Sequence, residues 1–91
     1  MNQRHLSLRQ LETLKAVAEN GTMTRASQCL FMTGPAITQQ IQQLERVLGA
    51  PVFDRIGRRL KLTAAGERAL AAANDVHMRL GILAKEMDAL R

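Results

Sequence analysis

The sequence has no tryptophan and no tyrosine, and its only aromatic residues are Phe31 and Phe53. A core drawn from 46% apolar residues must therefore interleave Leu, Ile, Val, Met and Ala, which favours packed helices. Cys29 is the single cysteine, so an intrachain disulfide is excluded, as suits a reducing cytoplasm. Standing beside Leu30 in a helical run, Cys29 reads as a small core residue rather than a reactive thiol. No apolar run approaches a membrane span, and Met1-Asn2-Gln3-Arg4-His5 leads into no apolar signal core. A soluble, cytoplasmic protein is expected. Histidine is scarce too. His5 is near the terminus, and His77 has no thiol or carboxylate at ligand spacing. There is no phosphate-binding glycine loop, and Ser7 and Ser27 are explained by capping and packing. The expectation is a protein that is not an enzyme and has no catalytic residues, metal or cofactor.

What is present is positive charge in one place. The formal net charge is +5 over 91 residues, enough chain for one small domain and an appendage. Residues 1–63 carry 9 Lys and Arg against 4 Asp and Glu, whereas residues 64–91 carry 4 of each. A basic unit beside a neutral one implies an anionic partner for the first and a protein partner for the second.

Four helices and a hairpin are predicted. Ser7 and Gln10 form a capping box, flanked by Leu6 and Leu11 as a hydrophobic staple. Leu11, Leu14, Val17 and Ala18 then make one apolar stripe, which Asn20-Gly21 ends. Thr22 caps a short second helix with Ala26, Cys29 and Leu30 facing inward. Thr33 caps a third, with Pro35 in its first turn and Gly49 after Leu48. Ile37, Ile41, Leu44 and Leu48 bury one face of it. Pro35, Gln39, Gln42, Gln43 and Arg46 form the other, with Thr38 on the flank. Strands are expected over 51–55 and 60–63, joined by Ile56-Gly57-Arg58-Arg59. Thr63 caps a last helix, with Glu67 near its positive end. There Ala69, Ala73, Val76, Leu80, Leu83, Met87 and Leu90 repeat as a coiled-coil seam of about three heptads. A helix of that length spans roughly 40 Å, too long and too one-sided for so small a domain to cover.

Two short helices joined by a tight turn, the second with a polar face, make a helix-turn-helix. The major groove admits one helix and requires donors and acceptors on it: Gln pairs with adenine and Arg with guanine. The positive end of the third helix, with Thr33 and Thr38, can hold a phosphate. Such a face could be ordinary solvated surface, but surface helices commonly mix Glu with Lys. Here Glu45 is the only acid between residues 33 and 49. Arg55, Arg58, Arg59 and Lys61 crowd the hairpin, where arginine can follow a phosphate strand or enter a narrow minor groove. Arg25 is a further candidate for backbone phosphate.

Leu8-Arg9-Gln10-Leu11 with Val17-Ala18-Glu19 is followed by Thr24-Arg25-Ala26, and then by Pro35-Ala36-Ile37-Thr38 with Gln40-Ile41 and Leu44-Glu45. The series continues through Leu48-Gly49, Val52-Phe53-Asp54-Arg55 and Leu62-Thr63-Ala64-Ala65-Gly66. In these fragments the chain resembles the LysR-type bacterial transcription regulators. Each fragment is weak alone; in this order and spacing the series is specific. The resemblance implies a mainly α winged helix-turn-helix over residues 1–63 and a linker or dimerisation helix over 64–91. It implies DNA contacts from Thr33, Pro35, Ala36, Thr38 and Gln39, with Arg58 in the wing. Gln43, Arg25, Arg55 and Arg59 join them from the reading of the residues themselves. The long helix would pair antiparallel with its twin through Ala73, Val76, Leu80, Leu83, Met87 and Leu90, and two dimers could form a tetramer. A small-molecule inducer would bind a C-terminal domain absent from these residues, so the chain reads as a fragment. Gly34 departs from the family, which usually has Gln there, so one base contact is lost. The expected function is sequence-specific binding of a double-stranded operator by a dimer on an inverted repeat. The alternative is a winged-helix module for protein interaction with incidental DNA binding, but the glutamines and wing arginines argue against it.

Overall fold

A computed structural model describes residues 6–57 and 59–91. Its elements are α1 (Leu8–Asn20), α2 (Met23–Leu30), α3 (Gly34–Leu48), β1 (Phe53–Ile56), β2 (Arg59–Leu62) and α4 (Ala64–Ala89). This is the mainly α, winged helix-turn-helix architecture expected, with a long final helix.

Each helix starts where a side chain can satisfy its first free N–H groups. Ser7 Oγ accepts the Gln10 N–H at 3.1 Å, and Gln10 Oε1 accepts the Ser7 N–H at 3.3 Å, completing the capping box. Thr22, Thr33 and Thr63 accept from the backbone N–H of Arg25, Ala36 and Gly66 at 3.2, 3.2 and 3.0 Å. Gly21 and Gly49 close α1 and α3 with φ of 76° and 74°, left-handed values that glycine adopts without a Cβ penalty. At the end of α2 that position is held by Phe31, φ 55°.

Helix α1 is central and packs on α2, α3 and α4. The core joins its Leu14 and Val17 to Ala26 of α2, to Ile37, Ile41 and Leu44 of α3, and to Val52 and Ala69. Two polar residues are buried with them. Gln10 is held by its capping box, and Thr13 donates its hydroxyl to the Arg9 carbonyl at 2.7 Å. A back-bond of this kind lets a hydroxyl enter a core without an unsatisfied donor.

Cys29 corrects the sequence reading, for it is exposed. Helix α2 has 8 residues, and its narrow inner edge is taken by Ala26 with Leu30 beside it. Cys29 is turned about 60° from Ala26 toward the opposite flank.

The strands pair antiparallel, Phe53 with Leu62 through Ile56 with Arg59. They begin and end nearer the turn than expected, because Pro51 has no N–H to give the ladder and the Val52 N–H goes to the Glu45 carboxylate instead of across the hairpin. The Pro51 carbonyl accepts the Thr63 hydroxyl at 2.6 Å, and the Val52 carbonyl accepts the Thr63 N–H at 3.0 Å. Gly57, φ 62°, takes the left-handed conformation that tight hairpin connections favour.

Helix α4 leaves the wing directly over Val52. A Cβ on Gly66 would overlap the Val52 carbonyl oxygen and meet Leu62 Cδ2 at 2.9 Å. One turn on, Ala69 and Ala73 are buried, and Lys15 on α1 donates to Asn74 at 2.7 Å. Every residue from His77 onward is exposed, so the second half of α4 projects from the domain. No described helix is long and apolar enough to cross a membrane.

Gly66→Ala separates two effects of opposite sign. Helix propensity alone would stabilise α4 by about 1 kcal/mol. The clash is with backbone, which cannot swing aside, and overpacking of this kind costs about 1–3 kcal/mol. We expect a lower denaturation midpoint; a higher one would show that α4 does not sit on Val52.

Candidate nucleic-acid interface

The outer face of α3 is set by its inner one. Ile37, Ile41 and Leu44 are buried, which leaves Pro35, Thr38, Gln39, Gln42 and Arg46 exposed, with Gln43 and Ala36 half-buried on the flanks. Thr33 is exposed at the N-terminal end, where its hydroxyl already holds the Ala36 N–H. Thr33, Pro35, Thr38 and Gln39 therefore share one accessible surface.

Glu45 has a part the sequence did not reveal. Its carboxylate accepts the Val52 N–H at 2.9 Å, and its carbonyl accepts the N–H groups of Gly49 and Ala50 at 2.8 and 3.3 Å. The only acid of α3 thus faces the loop that leads into the wing. The outer face of the helix presents amides, hydroxyls and one guanidinium. The signal was present as a lone glutamate in the turn before a helix-ending glycine, but its partner lies 7 residues away in a loop.

The wing cations divide between the two sides of the hairpin. Side chains alternate along a strand, so Arg55 shares a face with Phe53, Leu60 and Leu62, whereas Asp54, Ile56, Arg59 and Lys61 point the other way. Arg55 and Thr38, together with Met23, Ile41, Phe53 and Leu60, line a cleft of about 140 Å³ between α3 and the sheet. Folding therefore brings a guanidinium to the cleft that Thr38 lines from 17 residues further along the sequence. Among the described residues, Arg25, Arg46, Arg55, Arg59 and Lys61 make no ion pair with a carboxylate. Neither α2 nor α3 has an acid in its first turn, so the positive ends of both dipoles lack a counter-charge from that source. Arg58 and His5 lie outside the described residues.

The expected seam on α4 divides in two. Ala73 is covered by its own chain at 4% exposure, which leaves little of it for a partner. Val76 is half-buried, and Leu80, Leu83, Met87 and Leu90 are exposed. Leu80 borders a groove against α1 with Leu8, Leu11 and His77. Met78 and Ile82 are also exposed, about half a turn round the helix from the seam. No group of three or more potential metal ligands is found among the described residues.

Residues 8–67 match the family model for bacterial regulatory helix-turn-helix proteins of the lysR family. The whole chain aligns at 41% identity with 29% of the RuBisCO operon transcriptional regulator of Acidithiobacillus ferrooxidans. Two thirds of it (66%) aligns at 52% identity with 18% of a probable RuBisCO transcriptional regulator of Cyanophora paradoxa. The chain thus spans less than a third of the length of these relatives. Among solved structures, the DNA-binding domain of CbnR in complex with DNA superposes with a TM-score of 0.83 at 36% identity, covering 93% of this chain and 98% of that one. The BenM DNA-binding domain on its benA site 1 DNA gives 0.86 at 27% identity, covering 94% and 100%.

Glu45→Ala should lower stability by about 1.5–3 kcal/mol, the range for a hydrogen bond to a charged group. Thermal melts of both proteins read this directly. An unchanged midpoint would mean that the Val52 N–H does not depend on Glu45.

Proposed function

Because the chain belongs to the lysR family of bacterial regulatory helix-turn-helix proteins, we propose that it binds duplex DNA in a sequence-dependent way through α3 and the wing. The observation that carries this reading is the withdrawal of Glu45 to the Val52 N–H. It leaves the outer face of α3 without a carboxylate to repel phosphate.

Helix α3 lies in the major groove with Gln39 and Gln43 toward base edges. A glutamine amide can donate to and accept from adenine at once, as its one-donor, one-acceptor edge demands. Pro35 and Ala36 pack where the helix tip meets the bases, and Thr33 and Thr38 donate to phosphate. Arg55, beside Thr38 at the shared cleft, neutralises the strand that passes between helix and sheet. Arg58 and Arg59 reach the neighbouring minor groove, where narrow tracts concentrate negative potential. Arg25 meets backbone phosphate at the start of α2.

Residues 1–63 act as the binding unit and residues 64–91 as the linker helix. The linker pairs antiparallel with a second copy through Val76, Leu80, Leu83, Met87 and Leu90, with Ala73 at the edge of the contact. A dimer built this way presents two α3 helices to an inverted repeat with half-sites whole turns apart. Gene regulation, tetramer formation and response to an inducer would belong to the longer protein that the relatives represent.

Selection from a random duplex library at near-physiological salt tests the reading. An inverted repeat is expected. Recovery of no motif, with binding lost as salt rises, would reduce the chain to a nonspecific basic domain and favour a protein-interaction role. Arg55→Ala and Arg58→Ala should each weaken binding across all sequences and reduce the log–log salt slope by about one. An unchanged slope would remove that arginine from the interface. Leu80→Glu with Leu83→Glu should convert a dimer to a monomer in sedimentation; a persistent dimer would place the interface elsewhere.

A further inference from the structure

The chain holds four described positions with positive φ. Three are glycines, Gly21, Gly49 and Gly57, and the fourth is Phe31. A bulky side chain is disfavoured in that conformation, where Gly or Asn would serve the backbone equally well. Phe31 is also 96% exposed, so it gains nothing from packing in return. Exposure alone would carry no weight, since scattered exposed apolar residues are common. Together they describe an aromatic ring presented to solvent against both backbone and hydrophobic preference.

Its place in the fold says where it is presented. The Phe31 N–H closes α2 on the Ser27 carbonyl, and the next N–H, that of Met32, bonds the same oxygen at 3.1 Å. Met32 packs on the core, so the turn is anchored on its inner side while Phe31 stands on its outer side. Thr33, the cap of α3, follows two residues later. Gly34, the first residue of α3, has open space around its missing Cβ. Its glycine is required neither by its own packing nor by a positive φ. The first turn of α3 is therefore bare at Gly34, three residues after the exposed ring of Phe31.

We propose that Phe31 is a DNA-contacting residue that packs against the C5-methyl of a thymine at the edge of the major groove. This rests on the DNA-binding reading above. The chemistry follows from the groove itself, since among base edges there only thymine offers an apolar group.

The test uses the whole chain and the duplex selected for it, with anisotropy titrations at fixed salt. Phe31→Asn keeps a residue that tolerates the left-handed conformation, so its melting temperature should match or exceed that of the parent. Its affinity should fall roughly three- to tenfold, the range for losing an apolar contact of methyl size or somewhat larger. Phe31→Gly should behave alike and guards against a fault peculiar to Asn. Replacing single thymines by deoxyuridine should weaken the parent at one position per half-site and leave Phe31→Asn unaffected there. A folded Phe31→Asn that binds as tightly as the parent would overturn the contact and leave the ring to a protein partner. Equal deoxyuridine losses in both proteins would also overturn it. A parent chain that binds no duplex would overturn the DNA reading itself, a result visible before any variant is compared.

Discussion

The arrangement of α3, the hairpin and α4 depends on the backbone of one residue, Val52. Its side chain is fully buried, its N–H is held by Glu45 of α3, and its carbonyl is held by Thr63 at the start of α4. Gly66 lies against the same carbonyl. Helix α3, the hairpin and helix α4 thus meet at a single residue. Both polar groups of Val52 are satisfied, as a buried backbone requires. The carbonyl bonds across the hairpin to Thr63, in register with the pairing of Phe53 and Leu62, while the N–H is diverted to Glu45, so the regular ladder starts only at Phe53.

This junction turns separate pieces into one surface. Holding β1 against the end of α3 brings Arg55 into the cleft that Thr38 lines. It also engages Glu45, which helical period places on the flank of α3 near Ile41 and away from Gln39. This hydrogen bond ties the wing to the end of α3 and turns the helix's one carboxylate toward the loop. At the other end, burial of Ala69 and Ala73 and the Lys15–Asn74 bond fix the first half of α4 on α1. The projecting half inherits a defined direction, which a symmetric pairing of two chains would require.

The local elements were legible in the sequence because each has a local cause. Ser7 with Gln10, and the caps Thr22, Thr33 and Thr63, act within three residues of themselves. Gly21 and Gly49 mark helix ends for a reason that belongs to their own backbone. The buried stripe Ile37, Ile41 and Leu44 follows from helical period alone. Cys29 was misread because an apolar residue on a short helix has two flanks, and period does not say which one a neighbour covers. Thr13 was missed because its burial depends on a back-bond that no hydrophobicity pattern registers.

By itself the sequence determined which segments are helical, where they stop, which face of α3 is polar and that the chain carries a LysR-type pattern. Each of these follows from spacings of a few residues along one element. Tertiary structure alone decided that Glu45 serves Val52, that Gly66 is the point of closest approach and that Arg55 joins Thr38 while Arg59 faces away. It also decided that Ala73 is covered by its own chain and that Phe31 is not covered at all. Those outcomes depend on which surfaces meet across elements, a matter of shape and distance that no spacing along the chain encodes.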